Sequence, residues 1–176
     1  MIDPKKWETC VAFHGHECGG LTIGYKAAVY AGELLGLNFS ADEDVVCIAE
    51  NDACGIDAIQ VLLGCTVGKG NLLFHITGKQ AFSFYDRRTG KSLRLVLKPR
   101  SEGMTRAEAF GYYQKLPAKE MFEVKETSIP LPSHARIFKN IVCEHCGEDT
   151  AEAHIRLENG KYLCPDCIAK YNRFDV

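Results

Sequence analysis

Two C-x₂-C pairs, Cys143-Glu144-His145-Cys146 and Cys164-Pro165-Asp166-Cys167, stand seventeen residues apart near the end of this chain. That spacing belongs to tetrahedral zinc sites, in which four thiolates surround one ion. It constrains the fold strongly, because a module of about 35 residues cannot bury a stable core unaided and draws its folding energy from the metal. Between the pairs, residues 154–157 and 161–163 flank Glu158-Asn159-Gly160, an Asn-Gly step that predicts a type I′ hairpin. Residues 168–174 predict a helix whose first turn carries Cys167. Four thiolates complete the shell, so His145 and His154 are not expected as ligands. The Zn²⁺ is expected to be structural, with no open position.

Knuckle, hairpin and helix together resemble a treble-clef zinc finger. The finger is expected to form a domain over 133–176, behind a larger one over 1–132, because Pro130 and Pro132 punctuate the end of the stretch from Pro117 to Ser133. With 176 residues and 46% hydrophobic content, the chain can bury one proper core plus a small appendage. A net charge of −2, and a finger with one more acid than base, predict no nucleic-acid partner. No apolar run reaches the roughly 20 residues of a membrane helix, and the start Met1-Ile2-Asp3-Pro4-Lys5-Lys6 lacks the apolar segment of a secretory signal. A cytoplasmic protein with no membrane contact is expected. Nine cysteines, an odd count with paired spacing, argue for metal and thiol chemistry over a disulfide framework.

Periodicity predicts helices over 4–13, 20–35, 53–63 and 105–116, the third capped by Asp52 and closed by Gly64. Strands are expected over 44–50, 72–76, 81–85 and 92–97, with a hairpin turn at Arg87-Arg88-Thr89-Gly90. In the first of these, Val46 and Ile48 face one way and Val45, Cys47 and Ala49 the other. Helices before strands, followed by a hairpin, indicate an α+β fold with a mixed sheet.

Chemistry outside the finger concentrates in Phe13-His14-Gly15-His16-Glu17-Cys18-Gly19-Gly20, which sets two imidazoles and a thiol at a glycine-rich break before a helix. Cys54 lies in the first turn of the next predicted helix, after the strand 45–50. A helix N-terminus favours an anion and a thiolate. Cys18, Cys54 and His16, with or without His14, supply three or four N/S ligands for a borderline-soft ion such as Zn²⁺. Equally weighted is a structural reading, in which the histidines cap a helix C-terminus and the two cysteines are packing. Cys10 and Cys47 fall on apolar faces and are expected to pack as small hydrophobes.

Three ordered motifs tip that balance: Phe13-His14-Gly15-His16-x-Cys18-x-Gly20-Leu21; Asp52-Ala53-Cys54 with Asp57-Ala58-Ile59-Gln60; and residues 64–72, Gly64 to Leu72, which include Cys65 and Lys69. Together they resemble the FmdE family, named for one of the subunits of the molybdenum formylmethanofuran dehydrogenase, over roughly residues 5 to 130. Family members often carry an appended zinc finger. The resemblance implies a thioredoxin-like α+β core with a five-stranded mixed sheet flanked by helices, and a homodimer. It also implies a metal-binding active site on His16, Cys18 and Cys54, with His14, Cys65 and Lys69 nearby. The resulting expectation is a metal-binding protein, a subunit or accessory of a formylmethanofuran dehydrogenase-type oxidoreductase, with Zn²⁺ or another transition metal in the core. Two alternatives stand beside it: a dithiol redox protein using Cys18 and Cys54, and a non-enzymatic module that docks on a larger oxidoreductase through its finger.

Weaker signals remain. Lys69, in Gly64-x-x-x-Gly68-Lys69-Gly70, is expected either to meet a substrate anion at the site or to be a solvated loop lysine. Arg87, Arg88, Lys91, Arg94, Lys98 and Arg100 crowd one hairpin and read mostly as a solvated strand face. Tyr112 and Tyr113 read as core and rim.

Overall fold

The structure, a computed structural model, describes residues 2–100 and 102–169. It divides into two compact units, Met1–Ala135 and Arg136–Val176. In the first, helices α1 (Pro4–His14) and α2 (Gly19–Leu35) precede β1 (Val45–Ala49), α3 (Gly55–Leu63) and β2 (Leu72–Phe74). The hairpin β3 (Ala81–Asp86) and β4 (Ser92–Leu97) follows, then α4 (Arg106–Lys115), α5 (Ala118–Met121) and β5 (Phe122–Lys125). The strands form one five-stranded mixed sheet in the order β2-β1-β3-β4-β5, in which only the β1–β2 pair is parallel. A parallel β-α-β unit followed by an antiparallel meander is an α+β arrangement compatible with a thioredoxin-like core.

The alternation expected of β1 is realised. Val45, Cys47 and Ala49 join Phe82, Phe84, Leu93 and Leu95 against Ile23, Ala27 and Ile59, while Val46 and Ile48 pack with Tyr85 on the opposite face. All helices of the main core therefore work from one side of the sheet. On the other side the chain after β5 is held in place by the Tyr85 hydroxyl, which donates to Ile129 O at 2.6 Å, and by Arg87, which donates to Pro132 O at 2.7 Å and Ser133 O at 3.2 Å. The expected boundary at residue 132 falls within this tethered stretch.

Helix α1 starts where Asp3 accepts from Lys5 N at 2.9 Å and Lys6 N at 3.3 Å, with Pro4 in the first turn, where its missing N–H costs nothing. It stops at Gly15, whose φ of 93° turns the chain in a way an L side chain disfavours. Helices α2 and α3 then cross with their backbones touching. A Cβ on Gly24 would lie 1.9 Å from Gly55 O, so only glycine permits the approach.

Several boundaries differ from expectation. Helix α3 begins at Gly55, and Asp52 does not cap it; Asn51 Oδ1 instead accepts from Ala53 N at 3.2 Å and bends the chain before Cys54. Strand β2 ends at Phe74. The fifth strand, β5, comes from the Phe122-Glu123-Val124-Lys125 alternation and pairs with β4. Of the hairpin cations Arg88, Lys91, Lys98 and Arg100 are exposed, as expected of most of them, but Arg94 is not. Arg94 is largely buried against Glu50, with Nε to Oε1 at 2.5 Å and Nη2 to Oε2 at 3.0 Å.

Among the described residues the second unit contains two short hairpins, β6 (Asn140–Val142) with β7 (Asp149–Ala151) and β8 (Arg156–Glu158) with β9 (Lys161–Leu163). At the β8–β9 turn, Asn159 has φ 50° and Gly160 φ 81°, the two left-handed residues a type I′ turn requires. The helix expected over 168–174 lies mostly outside the described residues. Among the described residues no helix is long and apolar enough to cross a membrane.

Candidate metal centres

The finger cysteines converge. One sulfur from each of Cys143, Cys146, Cys164 and Cys167 lies within 4.8 Å of the others, and the Cys146 and Cys164 sulfurs are 4.0 Å apart. Two sulfurs about 2.3 Å from one tetrahedral ion stand roughly 3.8 Å apart, so the four thiols are spaced as zinc ligands. The unit's small apolar cluster is built on Cys143, Leu163 and Cys164 themselves, with Cys167 and Ile168 against it. Among the described residues that cluster is small, as expected of a unit that a bound ion would stabilise.

In the core, Gly15 reverses the chain after α1 and Cys18 becomes the N-cap of α2, its sulfur accepting from Leu21 N at 3.3 Å. This brings His14, His16 and Cys18 together, with ligand atoms all within 4.8 Å of one another. His14 Nδ1 lies 2.7 Å from Asp57 Oδ2, and its Nε2 faces Cys18 Sγ at 3.8 Å. Asp57 is held in turn by Gln60, whose Nε2 donates to Oδ1 at 3.2 Å. A nitrogen at about 2.05 Å and a sulfur at about 2.3 Å on one tetrahedral ion stand roughly 3.6 Å apart, close to the spacing seen. A carboxylate behind a ligating histidine, fixing its tautomer and ring, is the usual second partner of such a site. The donor set fits Zn²⁺ or a similar ion.

Cys54 enters from α3, where it stands at the N-cap with helical angles. A Cβ built on Gly20 would lie 3.6 Å from the Cys54 sulfur and 3.8 Å from that of Cys18, so the two thiols flank this bare position. Among the described residues, however, the mutually close group contains His14 and not Cys54. Helix-start acidification of Cys54 is also reversed: burial, then the neighbouring Cys18 thiol, push its pKa up.

Two other expected neighbours are elsewhere. Lys69 Nζ donates to Ser40 O at 2.8 Å and lies over the Phe39 ring, beside Gly64 at the C-terminal end of α3. Cys54 opens the same nine-residue helix, about 13 Å away along its axis. Cys65 is also at the far end, fully buried, with its sulfur 3.6 Å from Val45 O and its thiol pushed up to about 12, mainly by burial. Cys10 and Cys47 are core residues, and burial raises both thiols, Cys10 to about 11.

Beside the core donors lies a cavity of about 890 Å³ lined by His16, Cys18 and Cys54 and by apolar groups that include Ile23, Met104, Phe110 and Tyr113. Arg100 and Arg106 also line it, and neither stood out as a site residue in the sequence. The only signal was position: Arg106 opens α4, the helix that Thr105 and Glu108 cap reciprocally.

Known proteins bear on these centres. The sequence profile of the family described as "FmdE, Molybdenum formylmethanofuran dehydrogenase operon" matches residues 13–145, which include every core donor. A protein of Archaeoglobus fulgidus named "Probable S-adenosyl-L-methionine-binding protein" is 28% identical over 90% of this chain, and the chain spans about half, 51%, of that relative's length. The crystal structure of a tungsten formylmethanofuran dehydrogenase FmdE-like protein from Syntrophus aciditrophicus superposes with a TM-score of 0.72 at 24% identity, covering 93% of this chain and 90% of that one. That likeness establishes the shared fold.

Proposed function

This chain belongs to the FmdE family, and from that premise we propose that its core donors form the working site of a metal-dependent protein. In this reading it serves a formylmethanofuran dehydrogenase-type oxidoreductase in the cytoplasm as subunit or accessory. The observation that carries the reading is the grouping of His14, His16 and Cys18, backed by Asp57 and open to a cavity. A transition ion bound there supplies Lewis acidity for a carbonyl or formyl oxygen, or lowers the pKa of a bound water. The chain's own part is positional. Asp57 accepts the Nδ1 proton of His14 and leaves Nε2 free for the ion. The Leu21 N–H donates to the Cys18 sulfur and holds it in place at the start of α2. Gly20 keeps the space between the two sulfurs clear for a substrate atom.

Metal counting tests it. Wild type saturated with Zn²⁺ should hold two ions per chain, and Cys18→Ala should hold one and stay folded. Cys54→Ala then shows whether that thiol is a further ligand. The flanking of Gly20 by Cys18 and Cys54 favours a second reading, a dithiol that closes to a disulfide as two electrons pass to an acceptor disulfide. One ion in both wild type and Cys18→Ala, with Cys18 and Cys54 cross-linking on mild oxidation, would replace the metal reading by this one.

Assembly as a homodimer is part of the proposal, supported by the edge strand β2, which leaves Phe74 and then Ile76 exposed. Sedimentation should give twice the 19.5 kDa of one chain. S-adenosyl-L-methionine, from the name of the Archaeoglobus relative, is a ligand to titrate.

A further inference from the structure

The cavity beside the core donors is not chemically uniform, and its lining is ordered. At Gly20 it is walled by the Cys18 and Cys54 sulfurs. One residue earlier, a Cβ on Gly19 would lie 3.6 Å from the Tyr113 ring and 3.9 Å from Phe110 Cα, so the next part of the wall is aromatic. Beyond Tyr113 comes charge, since the Arg100 guanidinium lies over that ring, 6.0 Å from its centroid. Arg106 lines the same space from the start of α4.

Both arginines are exposed, and among the described residues neither is within ion-pairing range of a carboxylate. Glu17 is the one acid in the lining, and its Oε1 is turned to the Trp7 indole N–H at 2.8 Å. Two cations against one tethered carboxylate leave the cavity positive, although the chain as a whole carries −2. A volume of about 890 Å³ is in the usual range, roughly 300–1,000 Å³, of sites that enclose small organic ligands.

We infer that this cavity binds an organic anion with a flat, apolar body: its acidic group on Arg100 and Arg106, its body against Phe110 and Tyr113, and its far end at the Cys18 and Cys54 sulfurs. The inference rests on the reading of the core donors as the working site, and it names the substrate class of that site. The cation for which the sequence offered Lys69 is supplied instead by two arginines, Arg100 from the segment between β4 and α4 and Arg106 at the start of α4. Arginine suits the task, since its planar fork meets carboxylate, phosphate and sulfonate oxygens two at a time and stacks on aromatic faces.

The test uses two naphthalene dyes of similar shape, the sulfonate 1-anilinonaphthalene-8-sulfonate and the neutral N-phenyl-1-naphthylamine, titrated by fluorescence into the full chain and into Arg100→Gln/Arg106→Gln. Both positions are exposed, and circular dichroism checks that the variant keeps the fold. The sulfonate should bind wild type once per chain and lose roughly tenfold or more in affinity in the variant, while the neutral dye changes less than twofold. Sulfonate affinity that ignores the arginines, or an equal loss for both dyes, overturns the inference. A metal count on the same samples separates the two ideas. Arginine-dependent sulfonate binding to a chain that holds only its finger ion would leave the anion site standing and remove the metal reading. A core ion without arginine-dependent binding would do the reverse.

Discussion

His14 Nδ1 lies 2.7 Å from Asp57 Oδ2, so a residue at the end of the first helix is oriented by one in the first turn of the third. His14 is nearly buried there, its side chain 11% exposed, and the contact leaves Nε2 directed at Cys18. Replacing the carboxylate by an amide removes its charge and its preference for an Nδ1 proton. Asp57→Asn should lower core metal affinity about 10- to 100-fold while the finger keeps its ion. Competition against a graded series of zinc chelators reads both sites, and equal retention of the core ion in wild type and variant would contradict the role given to Asp57.

The finger should behave as a separate metal-dependent folding unit. Chelation, or Cys143→Ser, should abolish the slowly exchanging amides of the β6–β7 and β8–β9 hairpins and leave the five-stranded sheet protected. Hydrogen exchange read by mass spectrometry measures both units together. Unchanged protection of the hairpins without metal would mean that their few apolar contacts suffice.

Gly24→Ala should be costly although it adds a single methyl group. The new Cβ would lie 1.9 Å from Gly55 O and 2.3 Å from Gly55 Cα, and neither backbone atom can rotate away. About 3 kcal/mol of stability should be lost. Because Cys54 precedes Gly55, the same substitution should also reduce Cys18–Cys54 cross-linking by a short bifunctional thiol reagent. Urea unfolding gives the first number and mass spectrometry the second.

Glu50 and Arg94 form the buried ion pair of the sheet's second face. The Arg94 hydrogen bond, opposed by burial and aided by Thr77, holds the Glu50 carboxyl below its ordinary 4.5. A carboxylate depressed in the folded state contributes stability that is complete above pH 4.5 and vanishes as pH falls through the folded value. Glu50→Gln should therefore cost about 3 kcal/mol at pH 7, because Arg94 is left buried without a counter-charge. The gap between wild type and variant should narrow in acid. Urea unfolding at pH 7 and below pH 4 tests this, and a gap independent of pH would show that packing, not charge, is lost.

Much of the fold was legible because its signals are local. The Val45–Ala49 alternation set both faces of β1, Gly64 closed α3, and Thr89-Gly90 turned the β3–β4 hairpin, each through contacts a few residues apart. The features the sequence left indefinite were those decided by distant partners. Phe122-Glu123-Val124-Lys125 is too short to announce itself and becomes a strand only because β4 offers its open edge. Arg94 reads as a surface cation until β1 delivers Glu50 beside it.

By itself the sequence determined which donors lie close along the chain: the two C-x₂-C knuckles, and His14, His16 and Cys18 across one glycine break; that His14 rather than Cys54 joins the mutually close group came from the tertiary structure. Backbone geometry holds such residues together almost regardless of what surrounds them. Tertiary structure alone decided the rest of the candidate site. Lys69 and Cys54 sit in neighbouring motifs but lie beside opposite ends of α3, because a helix rises about 1.5 Å per residue and carries its two ends apart. Arg100, 82 positions after Cys18 in the sequence, lines the same cavity because the sheet order and the packing of α4 on α2 bring the β4–α4 segment back over the start of α2. Such meetings depend on register and crossing geometry summed over the whole unit, and no short stretch of residues encodes them.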